Sequence, residues 1–509
     1  MQRRDLLQAA LAACAAPAVV GSLRAAGAPL FALGVASGSP RPDGMVLWTR
    51  LLGDGLAEPL PERVPVRWEL ADDEGFTRIA ARGQAPAEAA WAHSVHAEPA
   101  GLAPGRWYFY RFEALGQRSA VGRTRTAPAV DELRPRLQFS IASCQRWDQG
   151  HYAAWRDVAA GDPDLVLFLG DYIYEYATGR ASIRAHRGGL VTTLPQYRDR
   201  YAQYKSDPAL QAAHAACPWL VIADDHEVAN DYAGLQGAHL QPGFAEQRAA
   251  AYQAWWEHMP LPSALRPEPG APGLRMHGRL DWGALARIHL LDARQHRSPQ
   301  ACPLPGQGGS RQLASADCPE LQHPARSLLG AEQERWLAEG WSLEQPWNLL
   351  AQQTLMAPWQ REDPARRGGR VWTDGWDGYP AARARLLAPL AERKLPGVVV
   401  LGGDVHANVV ADLHADPADP ASPVIASEFC GTSISSDGGT AARIDSTRRW
   451  NPHFHYARCD ERGHMRFRLE RGRLTAELRV VDDVLVRDSS SRTRARFVVE
   501  AGRPGPQLA

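Results

Sequence analysis

A carboxylate and a phenol oxygen stand three residues apart at the end of a predicted strand. The apolar run 164–169 predicts a short buried strand, and Gly170 after it lets the backbone turn. Asp171 and Tyr174 follow this turn. Ligands in open α/β sheets bind at the carboxyl ends of strands, so these two side chains are candidate metal ligands.

The same pattern, an apolar run followed by potential ligands, recurs three times along the chain. The runs are 137–142, 219–223 and 397–401, and the residues that follow them are Cys144, Asp224, Asp225, His226, Asn230, Asp404 and His406. One such motif alone is a weak signal, because a strand-end Cys is more often a small buried hydrophobe. Four of them in one chain predict a polynuclear metal site at the carboxyl edge of a sheet.

The donor types indicate which metals the site would bind. Thiolate and phenolate ligands favour a trivalent iron, whereas oxygen ligands alone favour a harder divalent cation. A single zinc ion held by Cys and His is the competing interpretation. Its four-coordinate geometry would leave Tyr174 and the second carboxylate without a ligand role.

Five motifs in fixed order resemble those of the PhoD-type alkaline phosphatases, a branch of the calcineurin-like metallophosphoesterases. They are Ser-Cys-Gln at 143–145, Gly-Asp-Tyr-Ile-Tyr-Glu at 170–175, Asp-Asp-His-Glu at 224–227, Leu-Asp-Ala-Arg-Gln at 291–295 and Gly-Gly-Asp-Val-His at 402–406. The resemblance extends from about Phe31 to the C-terminal strands.

The resemblance implies a ligand set for two metals. It assigns Cys144, Asp171, Tyr174 and His406 to Fe³⁺, with Asp171 bridging, and Asp225, Asn230 and Asp404 to Ca²⁺. Mn²⁺ and Zn²⁺ are alternatives for the second metal, and Asp224 is an alternative to Asp225. The mid-chain His that the wider superfamily places on its second metal is not found, and Asp292 or Gln352 are candidates for that place.

The resemblance also implies the reaction. We expect an exported alkaline phosphatase that hydrolyses phosphomonoesters, and secondarily phosphodiesters, by attack of a metal-activated hydroxide at phosphorus, for phosphate scavenging. His226 would protonate the leaving alkoxide or stabilise transition-state charge; the alternative is that it only holds the 224–225 turn. Arg294 is a candidate phosphate-facing cation, with a surface pair to Asp292 as the alternative.

Other functions stay open at this point. A phosphodiesterase of the phospholipase D type would prefer lipid or teichoic-type diesters. A thiol hydrolase would use Cys144 as its nucleophile, but it leaves the converging carboxylates unexplained. A non-catalytic adhesion protein would leave all four strand-end clusters unexplained.

Glu175 and Glu227 are predicted to orient the ligands.

Three segments follow one another along the chain. Residues 1–27 carry Arg3 and Arg4 before an Ala-rich stretch, which is typical of a twin-arginine signal; an uncleaved membrane anchor is the alternative. Short alternating strands over 30–128 predict a small β-sandwich, which resembles the fibronectin-like domain of the same family. Alternating strands and helices over 136–502 predict an α/β catalytic domain, and the resemblance narrows it to a two-sheet αββα sandwich.

Composition and cysteine content set further limits. Lys plus Arg and Asp plus Glu both number 57, so no basic surplus indicates nucleic acid as a partner. We expect a periplasmic or secreted monomer, with phosphate esters as substrates, the twin-arginine translocase as its export partner and no stable membrane span. Cys302 and Cys318 flank a Gly/Pro-rich loop and are the best candidates for a disulfide.

Overall fold

The computed structural model describes residues 29–53 and 59–509. The predicted signal segment, 1–27, lies outside the described residues.

The described part of the chain forms strands, α-helices and short 3₁₀ helices. The strands are β1 (Val35–Arg41), β2 (Gly44–Arg50), β3 (Arg63–Ala71), β4 (Ile79–Glu88), β5 (Ser94–Ala97), β6 (Trp107–Ala114), β7 (Gln117–Arg118), β8 (Gly122–Arg125), β9 (Arg136–Ala142), β10 (Leu165–Phe168), β11 (Pro218–Val221), β12 (Gly278–Trp282), β13 (Ala286–Leu290), β14 (Gln312–Ala314), β15 (Trp347–Ala351), β16 (Arg370–Trp372), β17 (Val398–Gly402), β18 (Asn408–His414), β19 (Val424–Cys430), β20 (Phe454–Arg458), β21 (Gly463–Glu470), β22 (Arg473–Val481), β23 (Ser491–Glu500) and β24 (Arg503–Leu508). The α-helices are α1 (Ala153–Ala160), α2 (Leu194–Lys205), α3 (Pro208–Ala216), α4 (Phe244–His258), α5 (Ala331–Gly340), α6 (Pro380–Glu392) and α7 (Ala441–Asp445). The 3₁₀ helices are Ala89–Trp91, Ser263–Leu265, Ser315–Asp317, Pro319–Gln322, Trp376–Gly378 and Arg448–Trp450.

Two large sheets position the candidate ligands. The first has the order β24-β23-β22-β21-β9-β10-β11-β1-β2-β5, and the second has the order β12-β13-β15-β17-β19-β18-β20. In the first sheet β9, β10 and β11 run parallel, as do β13, β15, β17 and β19 in the second. Parallel strands end at a common edge, so the residues after β9, β10 and β11 are brought together.

The two sheets pack face to face over one core. Alternate side chains of a strand point to opposite faces, so Val399 and Leu401 of β17 enter the core between the sheets. Phe467 of β21 stacks on Phe139 of β9 at 4.8 Å between ring centroids, and contacts Phe429 of β19 in the other sheet at 5.4 Å. The sheets are therefore the inner layers of a sandwich.

Helices cover the outer faces of both sheets. Val398 and Val400 of β17 point away from the first sheet and share a second buried cluster with Leu337 of α5 and Leu387 of α6. On the other side, Trp155 of α1 packs against Trp219 of β11 at 4.9 Å between ring centroids. The predicted αββα sandwich is confirmed.

A small β-sandwich precedes this catalytic fold, as predicted. Strands β3, β4, β6, β7 and β8 form one sheet, which packs over Val35, Leu47 and Val95 of β1, β2 and β5. Strand β1 also pairs in parallel with β11, with Ser37 opposite Pro218, so the sandwich is hydrogen-bonded into the first catalytic sheet. The domain limits 30–128 and 136–502 remain predictions.

The structure also bears on cysteines and on membrane insertion. Cys302 and Cys318 form the predicted disulfide, and the free cysteines of the described residues, Cys144, Cys217, Cys430 and Cys459, are buried.

Across residues 29–53 and 59–509, no helix is both long and apolar enough to span a bilayer.

Candidate metal centre

The four predicted strand-end clusters meet at one place between the two sheets. One ligand atom each from Cys144, Asp171 and His406 lie within 4.8 Å of one another. In a second group, one carboxylate oxygen each from Asp224, Asp225 and Asp404 also lie within 4.8 Å of one another. Because Asp404 and His406 follow β17 while the others follow β9, β10 and β11, the centre is built from both sheets.

The backbone at four of the candidate ligands is unusual. Cys144, Asp171, Asp404 and His406 have positive φ angles of 58°, 60°, 64° and 52°. This left-handed conformation costs side-chain-bearing residues on the order of 1–3 kcal/mol and is concentrated at functional sites. Strands β9, β10 and β17 are therefore each followed by a strained turn that re-aims a polar side chain toward the centre.

A glycine allows two of the ligand loops to approach closely. Gly170 has φ of 112°, and a Cβ atom at this position would lie 2.4 Å from Cβ of Asp224. A side chain would therefore push apart the loops that carry Asp171 and Asp225. This close approach is the physical reason for glycine before Asp171.

Hydrogen bonds order the first ligand group. The Tyr174 hydroxyl donates to Oδ2 of Asp171 at 2.8 Å and accepts from Oγ of Ser436 at 2.8 Å. Nδ1 of His406 lies 2.6 Å from the carbonyl oxygen of Asp437, and its Nε2 lies 3.2 Å from the Tyr174 hydroxyl. An N–H at Nδ1 would donate to the carbonyl and leave Nε2 as a lone-pair donor facing the centre.

The carboxylates of the centre are only partly compensated by the protein. Burial and the charges of Asp225 and Asp224 raise the pKa of Asp171 well above its usual range. Burial and Asp224 likewise raise the pKa of Asp404, against the opposing effect of Arg294. Oδ1 of Asp171 and Oδ2 of Asp224 are buried without a hydrogen-bond partner. Such groups are expensive unless a cation compensates them, so the residues present fit a bound metal.

A cavity of about 260 Å³ opens onto this centre. Among the predicted site residues, its wall includes Asp171, Asp225, His226, Asn230, Asp404 and His406. Cys144 and Tyr174 lie behind this wall and are at most 2% exposed. Burial and the charge of Asp171 raise the pKa of the Cys144 thiol well above its usual range, which disfavours Cys144 as a free nucleophile.

His226 is held by a glutamate. Nδ1 of His226 lies 2.7 Å from Oε2 of Glu175, whose Oε1 accepts the backbone N–H of Asn230 at 2.8 Å. Burial opposes protonation of His226, but Glu175, Asp171 and Asp225 raise its pKa well above the usual value. With Nδ1 directed at Glu175, Nε2 is the ring atom left to act in the cavity.

Glu227 joins the two ligand loops through their backbones. Its Oε1 accepts the backbone N–H of Tyr172 at 2.6 Å, and its Oε2 accepts the backbone N–H groups of Asp171 at 3.1 Å and Asp224 at 2.8 Å. The carboxylate therefore orders the turns that present the ligands.

Arg294 lies beneath the carboxylates and is not part of the cavity wall. It is 1% exposed, and its guanidinium pairs with Asp224 at 2.5 Å and with Asp374 at 2.7 Å. Asp292 instead accepts the backbone N–H of Arg294 at 3.1 Å, so the alternative surface pair does not form. Direct contact of Arg294 with phosphate stays a prediction.

The two candidates for the mid-chain ligand are engaged in turns. The Asp292 carboxylate accepts the backbone N–H groups of Arg294 and Gln295. Oε1 of Gln352 accepts from the backbone of Thr354 and from Trp376 Nε1, each at 3.1 Å. Asp292 belongs to no candidate metal cluster of the described chain.

Sequence reasoning missed several residues of the site. Asp231 and Asp374 cluster with Asp225, and Asp231 also lines the cavity beside Asn230. Adjacency to Asn230 was the available signal for Asp231. Four further residues of the cavity wall had no local signal: Gln312, Arg361, Trp372 and Arg443.

Comparisons with known proteins give a consistent result. Residues 139–478 match the model of the PhoD-like phosphatase family, and residues 14–128 match that of the PhoD-like phosphatase N-terminal domain. Over 490 residues the chain is 41% identical to alkaline phosphatase D of Bacillus subtilis (strain 168), covering 93% of this chain and 82% of that relative.

Solved structures of two phosphatases also resemble this chain. A structure of PhoD is 40% identical, with a TM-score of 0.88, and the match covers 95% of this chain and 92% of that chain. A purple acid phosphatase from yellow lupin (Lupinus luteus) seeds shares the fold at 12% identity, with a TM-score of 0.53, over 92% of this chain and 74% of that chain.

Proposed function

This chain belongs to the PhoD-like phosphatase family and is a phosphoric ester hydrolase, and from that premise we propose that it is an exported, metal-dependent alkaline phosphatase acting on phosphomonoesters, with phosphodiesters as secondary substrates. Phosphate scavenging from organic esters is the physiological role that fits this activity.

One observation carries the metal dependence. The buried oxygens Asp171 Oδ1 and Asp224 Oδ2 have no hydrogen-bond partner, although they lie among further carboxylates. Leaving such groups uncompensated would cost several kcal/mol. Cations at the centre would relieve that cost, which supports the proposal.

The donor chemistry supports two different metals. Cys144, Asp171, Tyr174 and His406 would hold Fe³⁺, and Asp225, Asn230 and Asp404 would hold Ca²⁺, with Mn²⁺ or Zn²⁺ as alternatives. Bound metal ions supply an activated water nucleophile and neutralise charge on the phosphoryl group.

The protein's own residues would bind the ester and move the proton. His226 would donate its Nε2 proton to the leaving alkoxide. Its Nδ1–H would stay in place as the donor of the hydrogen bond to Glu175. Glu175 accepts hydrogen bonds from the His226 ring and from the backbone N–H of Asn230. It would therefore fix the position of the acid relative to the loop that carries Asn230. Arg294 would limit repulsion between Asp224 and Asp374 beneath the cavity.

Metal analysis of protein purified after folding in the cell, together with its visible spectrum, tests this proposal. We expect iron near one per chain with a charge-transfer band, and calcium beside it. Zinc alone, with a colourless protein, would overturn the iron assignment.

Paired substrates test the ester preference. We expect higher kcat/KM on p-nitrophenyl phosphate than on bis(p-nitrophenyl) phosphate. A preference for the diester, extending to lipid or teichoic-type diesters, would replace the monoesterase with a phosphodiesterase.

Export is a separate part of the proposal. The Arg3-Arg4 pair and the Ala-rich stretch within 1–27 support transport through the twin-arginine translocase to the periplasm or medium. Replacing both arginines by Lys should retain the protein in the cytoplasm of a twin-arginine host. Unchanged export of that variant would contradict this route.

A monomer is the assembly state we propose. The metal clusters and the cavity wall are formed within one chain, so the site needs no second copy. Light scattering coupled to gel filtration should give a mass near one chain, and a stable dimer would contradict this proposal.

A further inference from the structure

Two arginines that belong to none of the strand-end motifs line the cavity. Arg361 and Arg443 line the same cavity of about 260 Å³ as Asp404 and His406. Arg361 precedes β16, and Arg443 belongs to α7. Both therefore come from segments outside the strand-end motifs.

Arg361 is a half-buried cation without an acidic partner. In residues 29–53 and 59–509, its Nε has no hydrogen-bond partner and its guanidinium forms no ion pair with a carboxylate. Nearby arginines behave differently: Arg297 pairs with Asp374 and Arg383 pairs with Asp377, each at 2.7 Å. Asp377 and Asp404 favour the charged form of Arg361 without reaching ion-pair distance, so its guanidinium keeps N–H donors for an anionic ligand.

The second arginine brings another positive charge to the same place. The guanidinium carbon of Arg361 lies 4.1 Å from the ring centroid of Trp359, and that of Arg443 lies 5.8 Å from it. Burial and the charge of Arg443 lower the pKa of Arg361 to about 10. The hydrogen bond from Arg443 recorded in the structure goes to the carbonyl oxygen of Gly438, at 3.1 Å, so it does not neutralise the charge.

The platform beneath the two arginines is rigid. Trp359 is 2% exposed, and its Nε1 donates to Oγ1 of Thr447 at 3.1 Å. An indole face attracts guanidinium groups and fixes their planes. Arg361, the nearer of the two to the ring, is therefore held in place before any ligand arrives, which reduces the entropy that binding would cost.

We propose that Arg361 and Arg443 form an anion-binding subsite, which receives a second anionic group carried on the alcohol part of the phosphate ester. A guanidinium recognises carboxylate and phosphate oxygens in the same bidentate way, so either group fits. The subsite would make the enzyme prefer esters of anionic alcohols. This inference rests on the proposed ester hydrolysis in the adjoining cavity.

Three two-carbon esters that differ in charge test the subsite. Ethyl phosphate has no second charge, 2-phosphoglycolate adds a carboxylate and phosphoethanolamine adds an ammonium group. With the metal-loaded enzyme we expect kcat/KM for 2-phosphoglycolate to exceed that for ethyl phosphate by about tenfold, mainly through KM, because a charge-assisted hydrogen bond is worth about this factor. Phosphoethanolamine should be the poorest substrate.

Variants then assign the preference to the two arginines. Arg361→Gln and Arg443→Gln should each bring the ratio of kcat/KM for 2-phosphoglycolate to kcat/KM for ethyl phosphate, measured on the same variant, close to one, and Arg361→Lys should retain part of the preference. Arg448→Gln is the matched control, because Arg448 is an exposed arginine close to Arg443 in the sequence that does not line the cavity. Arg443 is also exposed, so Arg443→Gln tests the subsite even if Arg361→Gln fails to fold.

Two outcomes would overturn the subsite. One is a wild-type enzyme without preference for 2-phosphoglycolate, and the other is a preference that persists in both Gln variants. Failure of the monoesterase proposal is distinguishable, because ethyl phosphate would then stay intact while bis(p-nitrophenyl) phosphate is cleaved. In that case 2-phosphoglycolate and ethyl phosphate are compared as inhibitors of diester cleavage. We expect 2-phosphoglycolate to inhibit more strongly, and equal inhibition by both would overturn the subsite.

Discussion

Glu175 holds His226 at the cavity wall, with its Oε2 only 2.7 Å from Nδ1 of the imidazole ring. The second oxygen of the same carboxylate accepts the backbone N–H of Asn230 at 2.8 Å. One side chain therefore sets both the orientation of the proposed acid and the position of a proposed metal ligand. A neutral or shorter residue at 175 would loosen both at once.

Replacing His226 by Asn should remove the acid without emptying the centre. We expect kcat on an alkyl phosphate to fall by about 10²- to 10⁴-fold while the metal content of the purified protein stays unchanged. Steady-state kinetics and metal analysis on the same preparation measure the two effects. His455→Asn is a suitable control, because His455 pairs with Asp412 rather than with a residue of the cavity wall.

The opposite result for His226 has a clear meaning. His226 belongs to a possible metal cluster with Asp171 and Asp225. Loss of metal together with activity would make His226 a ligand, and the assignment as an acid would be wrong.

Cys144 and Cys217 offer a matched pair of buried free thiols. Cys144 lies within 4.8 Å of ligand atoms of Asp171 and His406, whereas Cys217 belongs to no candidate metal cluster of the described residues. Cys144→Ser should reduce iron content and shift or bleach the visible band, because a hydroxyl replaces the softer thiolate. Cys217→Ser should leave both unchanged.

Tyr174 provides an independent check on the same band. Its hydroxyl contacts Asp171 and Ser436, and Tyr174→Phe removes the phenol oxygen while keeping the ring. We expect a change in band position or intensity with little loss of stability. A spectrum unaltered in both Tyr174→Phe and Cys144→Ser would exclude iron ligation by either side chain.

Arg294 tests whether the cation beneath the cavity is structural. Removing one partner of a buried ion pair typically costs about 3–5 kcal/mol, so Arg294→Ala should lower the free energy of unfolding by about that amount in metal-free protein. Denaturant titration measures it, and Arg468→Ala, which breaks an exposed pair, should change it by less than about 1 kcal/mol. Unchanged stability with a raised KM would instead support the direct phosphate contact predicted from the sequence.

Local sequence patterns were enough to predict which side chains converge at the candidate centre, but not their full surroundings. Buried parallel strands such as β10 and β17 read as continuous apolar runs, so their ends, and Asp171 and Asp404 after them, could be found without knowing the sheet order. Their convergence depends on two sheets packing face to face, which the family resemblance supplied.

Contacts between distant segments account for what was not predicted. Strand β1 joins the catalytic sheet because Ser37 lies opposite Pro218, a register that no local pattern encodes. Arg361, in the segment before β16, and Arg443, in α7, both approach the ring of Trp359. Neither arginine stands in an ordered motif, so only the folded structure shows that they share the cavity.

The disulfide should stabilise one wall of the cavity. It closes the loop from Cys302 to Cys318, which carries β14, and β14 pairs with β16 so that Gln312 lies opposite Trp372 on the cavity wall. Replacing both cysteines by Ser should reduce stability by up to about 3 kcal/mol and speed proteolysis within this loop. Cys459→Ser, at a buried free thiol, should not speed it. Mass mapping that finds both thiols free in the native protein would contradict the bond.

Asp148 gives a pH-dependent contribution away from the metal ligands. Burial opposes its ionisation, but hydrogen bonds from Arg146, the backbone of Gly179 and Ser182 lower the pKa of this carboxyl to about 2. Because the folded-state pKa lies below the unfolded value, the ionised form stabilises the fold above about pH 4, and this contribution is lost as the pH falls through about 2. Asp148→Asn should therefore lower the free energy of unfolding by about 2 kcal/mol at pH 7. Urea titrations from pH 7 to pH 3 should show the difference between wild type and variant shrinking toward the acid end, whereas a constant difference would mean that the stabilisation does not depend on ionisation.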